Sequence, residues 1–252
     1  SAQRLLAVTT TLSVMREAGR SYVQIVDMGE GRVEAMAVLP GTVVGKPPLV
    51  APDGLAAFVL SGPPRSMSQM AWDYFSRINL SNFSLSLLGA SATGERGGII
   101  ALSGGSAPFV LRVGTGEKGF VEAWPLQSQA DPLRGELTAT PVAAARIADT
   151  GRVAVLCRSL PNAGVVVHMV DVGETIRFTG ETIIENDRLF DAMPAGLAAN
   201  ASGSCLFVLL TGHAVDRPSG EPLSWLHVLR VSPDGPALPA EDVEPVEIPG
   251  MA

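Results

Sequence analysis

The sequence predicts an all-β fold assembled from about five similar units of four short strands. Three observations carry this prediction. The first is a phrase that occurs three times, a small or acidic cluster ending in glycine and followed by an apolar run. It reads Ala51-Pro52-Asp53-Gly54 before Leu-Ala-Ala-Phe-Val-Leu, Ala148-Asp149-Thr150-Gly151 before Arg-Val-Ala-Val-Leu-Cys, and Asn200-Ala201-Ser202-Gly203 before Ser-Cys-Leu-Phe-Val-Leu-Leu. A unit that recurs in this way cannot bury its own apolar face and stacks on its neighbours. The second observation is composition: apolar residues make up 46% of 252 residues and charged ones 17%, with 27 Gly and 19 Pro. That is ample core material, interrupted often by turn-formers. The third is the steady arrival of short runs rich in Val, Ile, Leu, Phe and Thr bounded by Gly, Pro, Asn or Asp. Helical periodicity is weak throughout, and only Asp187 to Met193 leaves room for a helical turn.

Taken in order, the first copy supplies strands at Leu5–Val14, Tyr22–Asp27 and Val33–Leu39, and the second at Ala56–Ser61, Phe75–Leu80 and Phe83–Leu88. A looser third copy runs through Ile99–Leu102, Phe109–Val113 and Phe120–Leu126. The fourth offers Val153–Cys157, Val165–Val170 and Ile176–Ile184, and the fifth Cys205–Thr211, Trp225–Val231 and a weaker strand at Val243–Ile248. A short candidate strand precedes several copies, at Pro48–Ala51, Val142–Ile147 and Gly196–Ala199, which completes four strands per unit. The units are therefore expected at residues 1–41, 42–89, 90–135, 136–190 and 191–252. Asp27, Asp53, Asp149 and Asp171 fall at turns, where an Asp side chain accepts from nearby backbone amides.

With a repeat of about 40 to 55 residues, these modules resemble the blades of a β-propeller, in the WD40-like and YVTN-like class. The Pro52-Asp53-Gly54 phrase and the strand ends Ile25-Val26-Asp27 and Met169-Val170-Asp171 carry the resemblance. Neither the Gly-His and Trp-Asp pairs of WD40 blades nor the Tyr-Val-Thr-Asn tetrapeptide occurs, so it reaches a superfamily and no named family. It implies one propeller domain over residues 1–252. Ser1 leads almost directly into a second strand, so Val246-Glu247-Ile248-Pro249-Gly250 is expected to supply the missing first strand and close the ring, removing exposed edges. The rival expectation is a segment of a larger propeller.

The charge of -7 argues against nucleic acid, whose recognition needs clustered Lys and Arg. Membrane insertion is not expected, because no run of about 18 apolar residues is free of Gly, Pro and charge. Cys157 and Cys205 lack disulfide-framework or metal-ligand spacing and read as reduced thiols inside strands. His168 and His227 fall at matching places in third strands and read as packing residues; no metal site and no cofactor is expected. Gly114-Thr115-Gly116-Glu117-Lys118-Gly119 matches the dinucleotide fingerprint in letters only. It lies between two β-like runs, where the motif requires a strand feeding a helix, so it reads as a hairpin turn. No signal peptide is visible. Ser1-Ala2-Gln3 reads as a mature or trimmed terminus, and an exported or periplasmic location is slightly favoured over the cytoplasm.

One asymmetry points to function. In an antiparallel meander the second-to-third loops and the unit-to-unit loops share one end, and here that end is elaborated: 62–73, 127–140, 185–194 and 212–223. Long connections on a rigid scaffold gather binding residues. They carry Arg65, Trp72, Asp73 and Tyr74, then Asp131, Arg134 and Arg188, then His213, Asp216, Arg217 and Glu221. Aromatic and Arg side chains are the usual anchors of interfaces. The expected function is thus a non-catalytic binding or scaffold module that recognises a protein or peptide through this face. The alternative is a hydrolase or lactonase-like enzyme with its site at the mouth of a central channel.

Overall fold

A computed structural model of the chain describes residues 4–11, 20–39, 41–43, 48–62, 74–90, 96–106, 108–115, 118–126, 131–159, 164–216, 218 and 220–248. Its strands form five antiparallel sheets, and no helix occurs among the described residues. The chain divides into two compact units, residues 1–100 and 101–252.

The first unit holds two sheets. One is the meander of β1 (Arg4–Thr11), β2 (Arg20–Asp27) and β3 (Arg32–Leu39). In the other, β6 (Ala56–Gly62), β7 (Tyr74–Asn79) and β8 (Leu85–Ala90) follow a first strand broken into β4 (Thr42–Val43) and β5 (Leu49–Val50), both paired to β6. Val23, Leu39, Ala57, Val59 and Ile78 form the core of this unit. Every residue of β6 is buried, which is why it reads as a continuous apolar run.

The second unit begins with β9 (Arg96–Leu102), whose start crosses the boundary. It is followed by β10 (Phe109–Thr115), β11 (Gly119–Pro125) and β12 (Leu133–Leu137). Next come β13 (Thr140–Arg146), β14 (Arg152–Arg158), β15 (Val165–Val172) and β16 (Ile176–Ile184). The last sheet has β17 (Met193–Ala199), β18 (Cys205–Gly212), β19 (Leu223–Val231), β20 (Ala237–Pro239) and β21 (Val246–Ile248). First strand packs on first strand (β13 on β17) and fourth on fourth (β16 on β20), so the sheets stack in parallel order. Leu156, Val167, Met169, Leu206, Val208 and Leu210 fill the layer between the last two sheets.

The recurring phrase does form recurring turns, but their register differs from the letters. Ala51 N–H donates to Ala56 O, Ile147 N–H to Arg152 O and Asn200 N–H to Cys205 O; Gly54, Thr150 and Gly203 then donate to Ala51, Ile147 and Asn200. Thr150, not Gly151, therefore occupies the place of Gly54 and Gly203. Those two glycines sit at φ +68 and +70, where a Cβ is penalised. In the middle copy Ala148 takes the positive φ (43°), and the Thr150 hydroxyl donates to Ile147 O at 2.6 Å. Aligning glycine with glycine is one residue out.

The same hydrogen bonds correct the third unit. Ser103 N–H donates to Phe109 O, as Ile147 does to Arg152, so β9 is a first strand, β10 a second, and Leu133–Leu137 the fourth. β11 and β12 are thus the third and fourth strands of one sheet, so the connection between them is not a link between units; residues 127–130 lie outside the described residues. β21 pairs with β19, alongside β20, and is an outer strand of the last sheet. Residues 187–191 make turns and an isolated bridge, Leu189 to Ala214, with no helical turn. The glycine-rich stretch is a hairpin, with Thr115 opposite Gly119.

The register reveals an equivalence across four sheets. The residue before each second strand (Leu55, Pro108, Gly151, Ser204) accepts from Leu80, Leu126, Val172 and Val231 respectively. Four residues earlier on the third strand stand Ser76, Glu122, His168 and His227, opposite Val59, Arg112, Val155 and Val208. All four are buried polar side chains at one position. The expected match of His168 with His227 holds, and it extends to Ser76 and to Glu122, the second of which the displaced third unit concealed.

Turns at one end of the second unit are locked together. Gly104 N–H donates to Thr150 O at 2.6 Å, and Gly203 lies so close to Ile147 and Ala148 that a Cβ there would fall 2.8 Å from Ala148 Cβ. Arg152 adds a clamp from β14 to the turn after β19: Nε donates to Asp171 Oδ1 at 2.8 Å, and the guanidinium reaches the carbonyls of Ser232, Pro233 and Gly235. Asp27 and Asp53 bond backbone amides as expected, whereas Asp149 and Asp171 pair with Arg146 and Arg152. The bonds from Gly29 and Glu30 amides hold the Asp27 carboxyl below its ordinary range.

Candidate functional site

At the opposite end of the last two sheets, the connection β16–β17 (185–192) meets the loop β18–β19 (213–222). They join as a short two-stranded ribbon. Phe190 N–H donates to His213 O at 2.8 Å and Val215 N–H to Arg188 O at 3.1 Å, on either side of the Leu189–Ala214 bridge. Asp191 fastens the ribbon: Oδ1 accepts from His213 N–H at 2.7 Å, and Oδ2 lies 2.9 Å from His213 Nδ1. These bonds to His213 keep the Asp191 carboxyl below its usual value. Leu189 is buried in the core, so Phe190, its neighbour in the extended ribbon, turns outward and is 72% exposed; Val215 is 54% exposed.

Beside the ribbon opens a cleft of about 730 Å³ lined by Arg188, Asp216, Glu221, Leu223, Trp225 and Glu247, together with Ala214, Val215 and Gly220. The Arg188 guanidinium lies 4.9 Å from the centre of the Trp225 ring, within cation–π range. Among the described residues, three carboxylates thus share the cleft with the guanidinium of Arg188.

The expected site residues divide. Arg188, Asp216 and Glu221 line this cleft, and His213 is bonded to Asp191 on the ribbon. Asp131 and Arg134 do not join them. Asp131 precedes β12 at the end where Gly104, Thr150 and Gly203 lie, because a third-to-fourth connection shares that end with the first-to-second turns. Arg134 instead lies on β12 opposite Glu122, donating to it at 2.9 Å. Tyr74 belongs to the first unit, where it pairs with Ser61 and Ala90 as the first residue of β7. Arg65, Trp72, Asp73 and Arg217 lie outside the described residues. Asp191, Trp225 and Glu247 are the participants that sequence reasoning missed. Asp191 could have been found as an acid inside an elaborated connection, but Trp225 and Glu247 are strand residues whose role appears only through long-range packing.

Elsewhere, Glu122 accepts from Arg112 Nε (2.8 Å), Arg134 Nη1 (2.9 Å) and Trp124 Nε1 (3.4 Å), with both arginines stacked on Phe120. His227 Nε2 lies 3.0 Å from Asn186 Nδ2, and burial pushes the pKa of both His168 and His227 down. Among the described residues no group of three or more His, Cys, Asp or Glu could hold a metal ion, and no helix is long and apolar enough to cross a membrane.

Neither a family model nor a curated protein sequence matches this chain. Solved structures do. A protein from Lactobacillus plantarum superposes with a TM-score of 0.59 at 12% identity, over 95% of this chain and 67% of that one. The complex of KlAtg21 with the coiled-coil of AgAtg16 gives 0.55 at 9% identity, over 96% and 81%. The β-propeller domain of the Trilobed protease from Pyrococcus furiosus, described as having an open velcro topology, gives 0.53 at 13% identity, over 95% and 68%. At these identities the likeness establishes fold alone. The chain has the fold of a β-propeller, with antiparallel strands in five sheets.

Proposed function

We propose that this propeller is a non-catalytic binding module that recognises a protein or peptide through the rim formed by residues 185–192 and 213–222. The observation that carries the reading is the bolted ribbon with Phe190 and Val215 exposed above a cleft. A loop tied down by backbone bonds and by Asp191–His213 has already lost the conformational freedom that binding would otherwise remove, so contact energy goes into affinity. Exposed apolar side chains beside a polar cleft give such a surface an anchor and a specificity pocket. One solved structure similar in fold is a complex with a protein partner, that of KlAtg21 with the coiled-coil of AgAtg16.

The test is a selection of random peptides displayed on phage against the wild-type chain, with a counter-selection against Phe190→Asp/Val215→Asp. Both side chains are exposed, so the double variant is expected to fold with its stability altered by about 1 kcal/mol or less. Peptides that bind the wild type and lose binding to the variant support the rim. If every selected peptide binds both proteins equally, the rim is ordinary loop and the reading fails.

A further inference from the structure

The cleft combines three features that define what it can accept. Its carboxylates, Asp216, Glu221 and Glu247, come from a loop and from an outer strand that are far apart in sequence, and Glu221 and Glu247 make no ion pair among the described residues. Its floor is Trp225, and the face of that ring carries a guanidinium, that of Arg188, at 4.9 Å. Finally, Trp225 is only 5% exposed and its indole Nε1–H has no acceptor among the described residues, which is costly for a buried donor. A ligand that satisfied all three would bring a planar cation for the ring and carboxylates, together with a carbonyl oxygen for the indole N–H. A bare metal ion offers no acceptor, and an acidic ligand is repelled. An arginine residue within an extended peptide has both groups.

We propose that the cleft takes an arginine side chain of an extended peptide, in the place that Arg188 now holds, so that Arg188 is an internal competitor for the ring. The proposal rests on the rim being a binding face. Arg188 is exposed and is carried on the ribbon by its backbone, so its side chain can leave Trp225 while its carbonyl keeps the bond from Val215. Its departure uncovers the indole and takes the guanidinium from the ring. An incoming guanidinium then stacks on the ring between Glu221 and Glu247, where a planar, weakly hydrated cation is favoured over a compact ammonium.

The experiment titrates the protein with acetyl-Gly-Gly-Arg-Gly-Gly-amide and with its citrulline isostere, which has the same shape without the charge, following the Trp225 indole N–H resonance by NMR. The arginine peptide is expected to shift that resonance and the citrulline peptide to leave it in place. Arg188→Ala is expected to tighten binding by about two- to fivefold, while Glu221→Gln and Glu247→Gln weaken it by a similar factor, as single exposed charge contacts do. Added salt weakens the wild-type interaction. Equal binding of the citrulline peptide, an unmoved indole resonance at millimolar peptide, or an Arg188→Ala variant that binds more weakly overturns the proposal. Selected peptides that depend on Phe190 and Val215 but contain no arginine overturn it too, and leave the rim as a binding face intact.

Discussion

Glu122 offers the sharpest test of the equivalence among the sheets. It is 5% exposed and its partner Arg112 is 3% exposed, so the pair sits in the interior between β10 and β11. Arg112 presents both Nε and Nη2 to Glu122 Oε2, at 2.8 and 2.7 Å. Replacing Glu122 by Ala leaves a buried guanidinium without its counter-charge, a change that costs about 3–5 kcal/mol. The sheets on β14–β15 and β18–β19 solve the same position with Val opposite His, and that on β6–β7 with Val opposite Ser. If the positions are equivalent, Arg112→Val/Glu122→His installs a pair that this architecture already accommodates twice. The double variant should recover at least about 2 kcal/mol of the loss, since replacing a whole buried ion pair is often near neutral. Arg134 loses a partner in both variants but is largely exposed, so its contribution is small. Urea unfolding followed by fluorescence measures both. A double variant no more stable than Glu122→Ala would refute the shared position.

Three further predictions follow from particular residues. His168 and His227 are held neutral by burial, so the unfolded chain binds more protons below about pH 6.5, and stability should fall with acid by up to about 1.4 kcal/mol per pH unit for each; removing both should flatten the profile between pH 5 and 7. Cys157 is fully buried with its thiol pushed up to about 12, whereas Cys205 is half-buried at the start of β18; a thiol reagent should modify Cys205 alone in the native protein and both after unfolding without reductant. Gly54→Ala meets no atom within 4 Å and should cost only the left-handed backbone penalty, about 1–2 kcal/mol, while Gly203→Ala adds contact with Ile147 and Ala148 and should cost more in thermal unfolding.

How far the sequence reached depended on where each strand lies in its sheet. Second strands such as Ala56–Gly62 and Arg152–Arg158 are buried on both faces and announce themselves as apolar runs. Outer strands do not. Leu133-Arg-Gly-Glu-Leu137 alternates and is partly exposed, so it passed as loop, and with it went the register of the third unit and the placement of Asp131. Thr150 was hidden for a different reason: a hydroxyl and a positive φ at Ala148 perform together what glycine does alone at Gly54 and Gly203. At the candidate site, the elaborated connections bring Arg188, Asp216 and Glu221 to one cleft and His213 to Asp191. Trp225 and Glu247 join them only because β19 pairs β21, a contact between short segments that carries no local signal.

The most direct test of the rim as the binding face is a chemical-shift map of the 15N-labelled protein with a peptide selected as described. Amides of residues 188–191, 213–216 and 221–225 should move, with the turns at 147–152 and 200–205 at the other end of the same sheets undisturbed. Shifts concentrated in those turns, with the ribbon unmoved, would contradict the account.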